Sequence, residues 1–277
     1  MRHLVASLFA FALFAPSPLA AQVCSDASGG DVVVAASDVV VLNRYLPAPL
    51  ADTDVAAGAT SLPVDVAAAT GDDTPIAAGD LVLVIQVQGA VIDTGAENVV
   101  GGRYGDGPGG RDRSGLLATG FTAGRYEYAR AAGAVSGGAL PLQEPLRNGY
   151  ASADAPVDNG DGTGRGLLRY QVIRIPELRT LTVAGTLTGA PWDGRAGGVV
   201  AADVAGTIEI ATGGLVSATG LGFRGGSPVI PTGDDDFEVA FRGEGVAGTP
   251  ARVWARLGDL SVRATSGLPG GDNDRGA

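Results

Sequence analysis

Oxygen-bearing side chains alternate with glycine in the stretch 158–162 (DNGDG), and a further aspartate lies just upstream. Carboxylate and amide oxygens are the ligands that calcium prefers, and glycine permits the tight wrap of a calcium loop. The complete D-x-[DN]-x-[DN]-G spacing with a distal glutamate is absent, however. We therefore favour an Asx-rich turn, and calcium is the only cofactor that the sequence suggests. Its weak candidate ligands are Asp154, Asp158, Asn159 and Asp161.

Two acidic residues, Asp203 and Glu209, lie at odd positions of the segment Val200–Ile210, whose even positions are apolar or small. This alternation predicts strands with one buried face, and it places both carboxylates on the outer face of adjacent strands. Paired carboxylates and an arginine would suit a β-helix polysaccharide lyase or hydrolase. The interpretation that we favour is that these acids keep an exposed sheet soluble and discourage edge pairing.

Trp192 lies beside the turn residues Asp193 and Gly194, where an indole face could stack on a sugar ring. We favour the alternative that it caps a core, because a large aromatic side chain is usually highly buried. The glycine-rich stretch 222–226 (GFRGG) could cradle a phosphate, but no helix signal follows it. It is interpreted instead as a glycine-dense corner with Phe223 in the core and Arg224 directed outward.

The chain offers few residues for catalysis. Its single histidine, His3, lies in the predicted signal peptide, and it contains no lysine. A histidine-dependent triad and a zinc site built on histidine are therefore excluded for the exported chain. Cys24 is the only cysteine, so an intrachain disulfide is impossible. The sequence predicts no catalytic and no cofactor-binding residues.

The first 21 residues have the layout of a cleaved secretion signal. Arg2 and His3 form a basic start, Leu4–Ala15 is an apolar run too short to span a bilayer, and Ala20 and Ala21 supply a small-residue cleavage site. Cys24 raises the alternative of a lipoprotein signal, but the valine before it is not a small residue. We expect ordinary export to the extracellular space or outer cell surface, with no membrane span.

Composition restricts the partners and the fold. A formal net charge of −11 makes nucleic acid and anionic membrane surfaces poor partners. Glycine accounts for 45 of 277 residues and aromatic residues for 5%, which indicates many turns and small packed side chains. Because 45% of the residues are hydrophobic, this composition does not indicate disorder.

Strand patterns dominate the chain, and no window sustains a helical period. Leu81–Val87 is the strongest strand, apolar on both faces at its start and therefore central, with Gln86 and Gln88 turning one face polar towards the rim. Further strands are predicted at 32–34, 39–42, 61–66, 125–130, 167–175, 182–187, 198–205, 207–211 and 215–219. The fold class is all-β: an N-terminal β-sandwich or barrel-like domain followed by β-solenoid (β-helix-like) coils.

The predicted organisation has five parts. Residues 1–21 are the signal peptide and 22–31 a flexible leader; residues 32–180 form the sandwich-like domain, and 181–264 the solenoid-like region. Residues 265–277 are a disordered or truncated tail. Because solenoid ends need a cap and none is recognisable here, we expect the chain to be the front part of a longer protein.

Short motifs are spread over roughly residues 32–250: 78–81 (AGDL), 88–90 (QGA), 124–127 (GRYE), 171–176 (QVIRIP), 191–194 (PWDG), 197–199 (GGV), 222–226 (GFRGG) and 243–250 (GEGVAGTP). Together they resemble the N-terminal region of large, glycine-rich, adhesin-like secreted surface proteins of Gram-negative bacteria. The resemblance implies export and a surface role, and it implies no catalytic residues.

These observations favour a non-enzymatic structural or adhesive surface module that contacts glycans or other extracellular polymers. Two polar, glycine-rich loops, 101–114 and 151–166, are the expected contact surface, because long loops carried on a rigid sheet are often functional. The alternative from a different class is the β-helix polysaccharide lyase or hydrolase. It requires acids and arginines that converge on one face of the coils.

Overall fold

The computed structural model describes residues 27–90, 92–93, 115–116, 121–153, 164–165, 167–224 and 244–246. Regular structure in these residues is almost entirely β, which confirms the predicted all-β class. A short 3-10 helix at Val66–Ala68 is the exception in this part of the chain. The strands are, in chain order, β1 (Asp31–Val34), β2 (Val39–Val41), β3 (Arg44–Pro47), β4 (Thr53–Val55), β5 (Ser61–Pro63), β6 (Thr70–Gly71), β7 (Leu81–Gly89), β8 (Ile92–Asp93), β9 (Gly115–Leu116), β10 (Tyr126–Arg130), β11 (Ala139–Pro141), β12 (Tyr150–Ser152), β13 (Gly164–Arg165), β14 (Leu168–Ile175), β15 (Glu177–Leu178), β16 (Thr180–Val183), β17 (Thr186–Thr188), β18 (Asp203–Val204), β19 (Ile208–Ile210) and β20 (Leu215–Val216).

The largest sheet has five antiparallel strands in the order β10-β7-β14-β3-β6. β7 contains the predicted strand Leu81–Val87 and lies between β10 and β14, so its predicted central position is confirmed. Apolar side chains at both odd and even positions bury both faces of the strand. None of the sheets in the described residues closes into a barrel.

One face of the five-stranded sheet packs against two small antiparallel sheets, β5–β11 and β4–β12. Even-numbered β7 residues such as Val82 and Val84 contribute to this core, together with Tyr170 and Val172 of β14. Small sheets of two strands need such packing, because an isolated pair is marginally stable in water.

The opposite face is covered by residues 190–201, which form no strand over that length. Leu83, Ile173 and Tyr45 of the sheet are buried there against Ala196, and Val199 packs at the edge of the same cluster. The predicted strand at 198–205 is therefore wrong over most of its length, since ladder pairing begins only at Asp203.

Parallel pairing joins segments far apart in sequence. The orders are β1-β16-β19 and β2-β17-β20, and β15 pairs with β18. The sequence analysis assigned this first strand to the sandwich-like domain, residues 32–180. In the structure, β1 pairs in register with β16, at the start of the predicted solenoid-like region. The strand predicted at 182–187 is divided, because Ala184 and Gly185 separate β16 from β17.

The inward positions of these parallel strands are apolar, as the period-two pattern predicts. Residues paired across three neighbouring strands form a row, and burial changes from one strand to the next along each row. Val34 and Val183 are fully buried, whereas Ile210 in the same row is 57% exposed. Val40, Leu187 and Val216 form a second row in which exposure again rises at the last strand. The last strands, β19 and β20, therefore present apolar side chains to solvent.

The end of the predicted flexible leader is bound to the rest of the fold. The Gly29 N–H donates to the Glu177 carbonyl at 2.7 Å. Asp31 lies in β1, where its carboxylate accepts hydrogen bonds from Arg179 and Thr180. From Gly29 onward this segment is held by β15 and β16, so the prediction of a flexible leader is wrong for its last residues.

Candidate functional site

The four candidate calcium ligands, Asp154, Asp158, Asn159 and Asp161, lie outside the described residues. So do the predicted signal peptide and the loop 101–114. Part of the second predicted loop, 151–166, is strand: its first residues belong to β12, and Gly164 and Arg165 form β13. Among the residues that the structure describes, no group of three or more acidic, histidine or cysteine side chains could hold a metal.

Asp203 and Glu209 lie on consecutive strands, but those strands belong to different sheets. Asp203 in β18 is paired in register with Glu177 of β15. Glu209 in β19 is exposed and paired with Thr182 of β16. Both acids alternate with inward apolar residues, Val204 and Ile208, as predicted, but the two strands that carry them belong to different sheets.

Trp192 is 4% exposed, so its face is closed to a sugar and the core-capping interpretation is supported. Its ring packs edge-on against Phe223 with centroids 5.5 Å apart, and its backbone N–H donates to the Leu221 carbonyl at 2.9 Å. Phe223 remains 36% exposed, so the prediction that it fills the core holds only for the part of the ring that contacts Trp192.

Arg224 is occupied by a carboxylate and does not form a phosphate cradle. Its Nε and Nη2 donate to the two oxygens of Glu244, each at 2.7 Å. The hydrogen bonds from Arg224 to Glu244 raise the pKa of this guanidinium. The Glu244 N–H donates to the Arg224 carbonyl at 2.8 Å, which holds residues 244–246 beside this corner.

Buried amide side chains connect the five-stranded sheet to other segments, and the sequence analysis missed this role. The Gln171 amide accepts from the Gly197 N–H at 2.8 Å and donates to the Gly197 carbonyl at 3.0 Å. Asn43 makes the same pair of bonds with Ala201, at 2.9 and 2.7 Å. Both amides thereby bind the covering segment 190–201 as a neighbouring strand would.

Gln86 makes an equivalent pair of hydrogen bonds on the other face of the sheet. It accepts from the Ala151 N–H at 2.9 Å and donates to the Ala151 carbonyl at 2.8 Å. Gln86 and Gln88 are each 1% exposed, so the prediction that they turn a polar face to the rim is wrong. The available signal was a glutamine within an otherwise apolar strand, which requires a partner when it is buried.

Ion pairs also join separate sheets. Arg130 of β10 donates through Nη1 and Nη2 to both oxygens of Glu177 in β15, each at 2.7 Å. Arg195 donates to the Asp65 carboxylate at 2.8 Å and to the Ala48 carbonyl at 2.9 Å. The hydrogen bond from Arg195 holds the pKa of Asp65 below its ordinary value of 3.8.

Large side chains are exposed at several places in the described residues, and two of these surfaces lie on strands and were not predicted as sites. On the edge strand β10, Tyr126 is 58% and Tyr128 is 54% exposed. Their rings meet edge to face, with centroids 6.3 Å apart and an interplanar angle of 85°. The second surface is the outer edge of β19 and β20, with its exposed isoleucines Ile208 and Ile210.

The fold defines an all-β protein in which antiparallel and parallel sheets are connected by buried amides and ion pairs. Comparison of the chain with known proteins found no matching family model, curated protein or solved structure. In the part of the chain that the structure describes, no helix is long and apolar enough to cross a membrane.

Proposed function

We propose that this chain is an exported surface module with a structural or adhesive, non-enzymatic role. The observation that carries the proposal is the use of its charged side chains: several arginines in the described residues bind carboxylates or carbonyls of another segment through their guanidinium groups. The clearest cases are Arg130 with Glu177, Arg174 with Asp80, and Arg195 with Asp65. Groups engaged in this way stabilise a scaffold and are poorly placed to act on a substrate.

The proposal includes a sandwich-like region followed by a short β-solenoid. The parallel, in-register pairing of β16 with β19 and of β17 with β20 supports the solenoid. Leu181 pairs with Ile208 and Thr186 with Leu215, separations within the range of roughly 20–50 residues that is typical of solenoid repeats. Coils of this kind give a stiff, extended surface suited to display.

Export is proposed from the residue pattern at positions 1–21. The absence of lysine and the acidic net charge of −11 are compatible with a module that stays soluble outside the cell. N-terminal sequencing of secreted material should begin at Gln22. A start at Met1 in material recovered from the medium would contradict cleavage.

The alternative, a β-helix polysaccharide lyase or hydrolase, is tested by turnover. Incubation of the mature protein with a panel of acidic and neutral polysaccharides should release neither unsaturated nor reducing ends. Turnover that is abolished by Asp203→Asn or Glu209→Gln would replace the structural proposal with the enzymatic one. Separation of these two acids onto different sheets is the observation against it.

The adhesive role is tested by binding of the labelled mature protein to whole bacterial and host cells. We expect saturable binding that an excess of unlabelled protein removes. A heat-unfolded sample of the same protein is the control for nonspecific adsorption. If the protein shows saturable binding to no cell type or polymer, the adhesive part of the proposal is overturned and only a structural role remains.

A further inference from the structure

We propose that Tyr126 and Tyr128 on β10 form a binding site for a neutral saccharide chain. This inference rests on the proposed surface role, because it names the ligand class that such a module would contact. Tyrosine at 58% and 54% exposure is unusual for a residue type that buries much of its large ring when it serves a core. An exposed aromatic pair of this kind is typical of recognition surfaces.

The shape of the pair suits a sugar ring. The two rings stand almost perpendicular, at 85°, and therefore form two walls of a corner. Pyranose rings carry axial C–H groups on one face and hydroxyl groups around the rim. A tyrosine offers an apolar ring face to the first and a phenolic hydroxyl to the second.

The corner is held by a rigid support. Tyr126 is paired with Ile85 and Tyr128 with Leu83, both on the central strand β7. Leu83 is buried in the cluster beneath the covering segment, so the backbone that carries the tyrosines is fixed before a ligand arrives. A preorganised site of this kind avoids part of the ordering cost of binding.

Charge favours a neutral ligand. Arg130 is the next side chain on the same face, because side chains alternate along a strand. Its guanidinium is already neutralised by the carboxylate of Glu177 in a two-bond pair. The chain has a net charge of −11, so an anionic polymer would be repelled over most of the surface.

The free edge of β10 is too short for an added peptide strand. The Gln86 N–H donates to the Arg125 carbonyl, which directs the backbone groups of Arg125 and alternate residues towards β7. The backbone N–H and carbonyl groups that point to the outer edge therefore belong to Tyr126, Tyr128 and Arg130. Of these, the Arg130 carbonyl already accepts a hydrogen bond from the Gln143 N–H at 2.8 Å. Two residues of accessible edge in the described structure give little backbone pairing, so a saccharide fits this surface better than a peptide.

The test measures binding of the mature full-length protein to four neutral hexasaccharides by titration calorimetry: cellohexaose, laminarihexaose, xylohexaose and mannohexaose. Hexagalacturonate is the anionic probe, and a soluble hexapeptide of alternating threonine and valine is the strand-forming probe. We expect at least one neutral hexasaccharide to bind and hexagalacturonate not to bind. Binding of the hexapeptide in place of every saccharide would overturn the ligand class.

Variants separate the rings from the rest of the surface. Tyr126→Ala and Tyr128→Ala should each weaken binding at least about tenfold, because each removes one wall of the corner. Tyr128→Phe, which keeps the ring, should remain within about threefold of the parent. Val39→Ala is the control: it shortens an apolar side chain that lies on a different strand and is 72% exposed, and it should leave binding unchanged.

Unchanged saccharide binding in the doubly substituted Tyr126→Ala, Tyr128→Ala protein would overturn the site, as would the failure of all four neutral probes. The same double variant in the whole-cell assay distinguishes this inference from the proposed function. Retained cell binding together with lost saccharide binding supports the site and assigns cell attachment to another surface. If the parent binds no cell but binds a saccharide through the tyrosines, the adhesive role fails and the site stands.

Discussion

The antiparallel strands between Arg44 and Ile175 and the parallel strands that flank them in sequence bury their side chains very differently. Ile173 in the antiparallel sheet is fully buried, whereas Ile208 in the last parallel strand is 56% exposed. Both residues lie at positions where the sequence pattern predicts an apolar, inward side chain. Period two therefore defines which face of a strand is apolar, while the presence of a packing partner decides whether that face is buried.

The two regions also differ in the length of their strands. β7 has nine residues and β14 has eight, whereas β19 has three and β20 has two. Side-chain bonds occur in both regions, as with Gln171 on Gly197 and Arg179 on Asp31. Local opening is therefore expected to begin at β19 and β20.

The largest expected effect comes from matched truncations of two isoleucines. Ile173→Ala should destabilise the mature protein by about 3 kcal/mol, because it leaves a cavity in a filled core. Ile208→Ala should cost less than about 1 kcal/mol, since its side chain is already in water. Urea unfolding of both variants measures the difference, and equal losses would show that the end of the parallel strands is covered in solution.

A second substitution tests the turn that joins β16 to β17. A Cβ at Gly185 would lie 2.0 Å from the Ala35 carbonyl oxygen and 2.5 Å from that of Asp38. Gly185→Ala should therefore displace β1 and β2 from the parallel sheets and cost about 2 kcal/mol or more in unfolding free energy. Gly222→Ala is the control, because its Cβ meets open space. Equal stability of the two variants would argue against the β1–β16 pairing.

A smaller effect is expected at the buried amide of Gln171. Gln171→Leu keeps the volume but leaves the Gly197 N–H and carbonyl without this partner, which should cost about 2 kcal/mol. Gln143→Leu is the matched control, since Gln143 is exposed and water replaces its lost bond. Hydrogen exchange at the Gly197 amide should accelerate in the first variant alone. Unchanged exchange would mean that segment 190–201 is held by its apolar contacts.

The smallest effect is a pH dependence at Asp65. Because the pKa of Asp65 is lowered in the folded state, its contribution is present above the ordinary pKa of 3.8 and is lost as the pH falls through the folded-state value. Its ion pair with Arg195 is partly exposed, so the contribution should stay below about 1 kcal/mol. Thermal midpoints recorded between about pH 5 and about pH 2 should fall less steeply in Asp65→Asn than in the parent. If the thermal midpoints of the two proteins fall equally with pH, Asp65 does not contribute to the pH dependence of stability.

Local patterns predicted much of the fold. The segment Leu81–Val87 was sufficient to identify a central strand, because a strand buried on both faces carries apolar side chains at both odd and even positions. The alternation at Val200, Ala202 and Val204 likewise identified residues that pack against the parallel strands. These features depend on neighbouring residues alone.

Pairing between distant segments was beyond such patterns. Val33 and Thr182 carry no local signal of the β1–β16 register, and the alternation at Ile208 was the same as that of a buried residue. The candidate surface on β10 also escaped detection. Tyr126 and Tyr128 were predicted as part of a strand, but exposure on an edge strand depends on which elements cover each face.

The placement of β1 has a consequence for how the chain folds. β1 pairs with β16, and the Asn43 side chain bonds both the Arg174 carbonyl and Ala201, so these contacts close very long loops of chain. Loop closure carries an entropic cost that rises with length, and such contacts slow folding. The pairing of β3 with β14 in the five-stranded sheet brings the chain after β1 close to the chain before β16. We therefore expect β1 to remain unpaired until the five-stranded sheet has formed, so that the first described strand of the chain is among the last to find its partner.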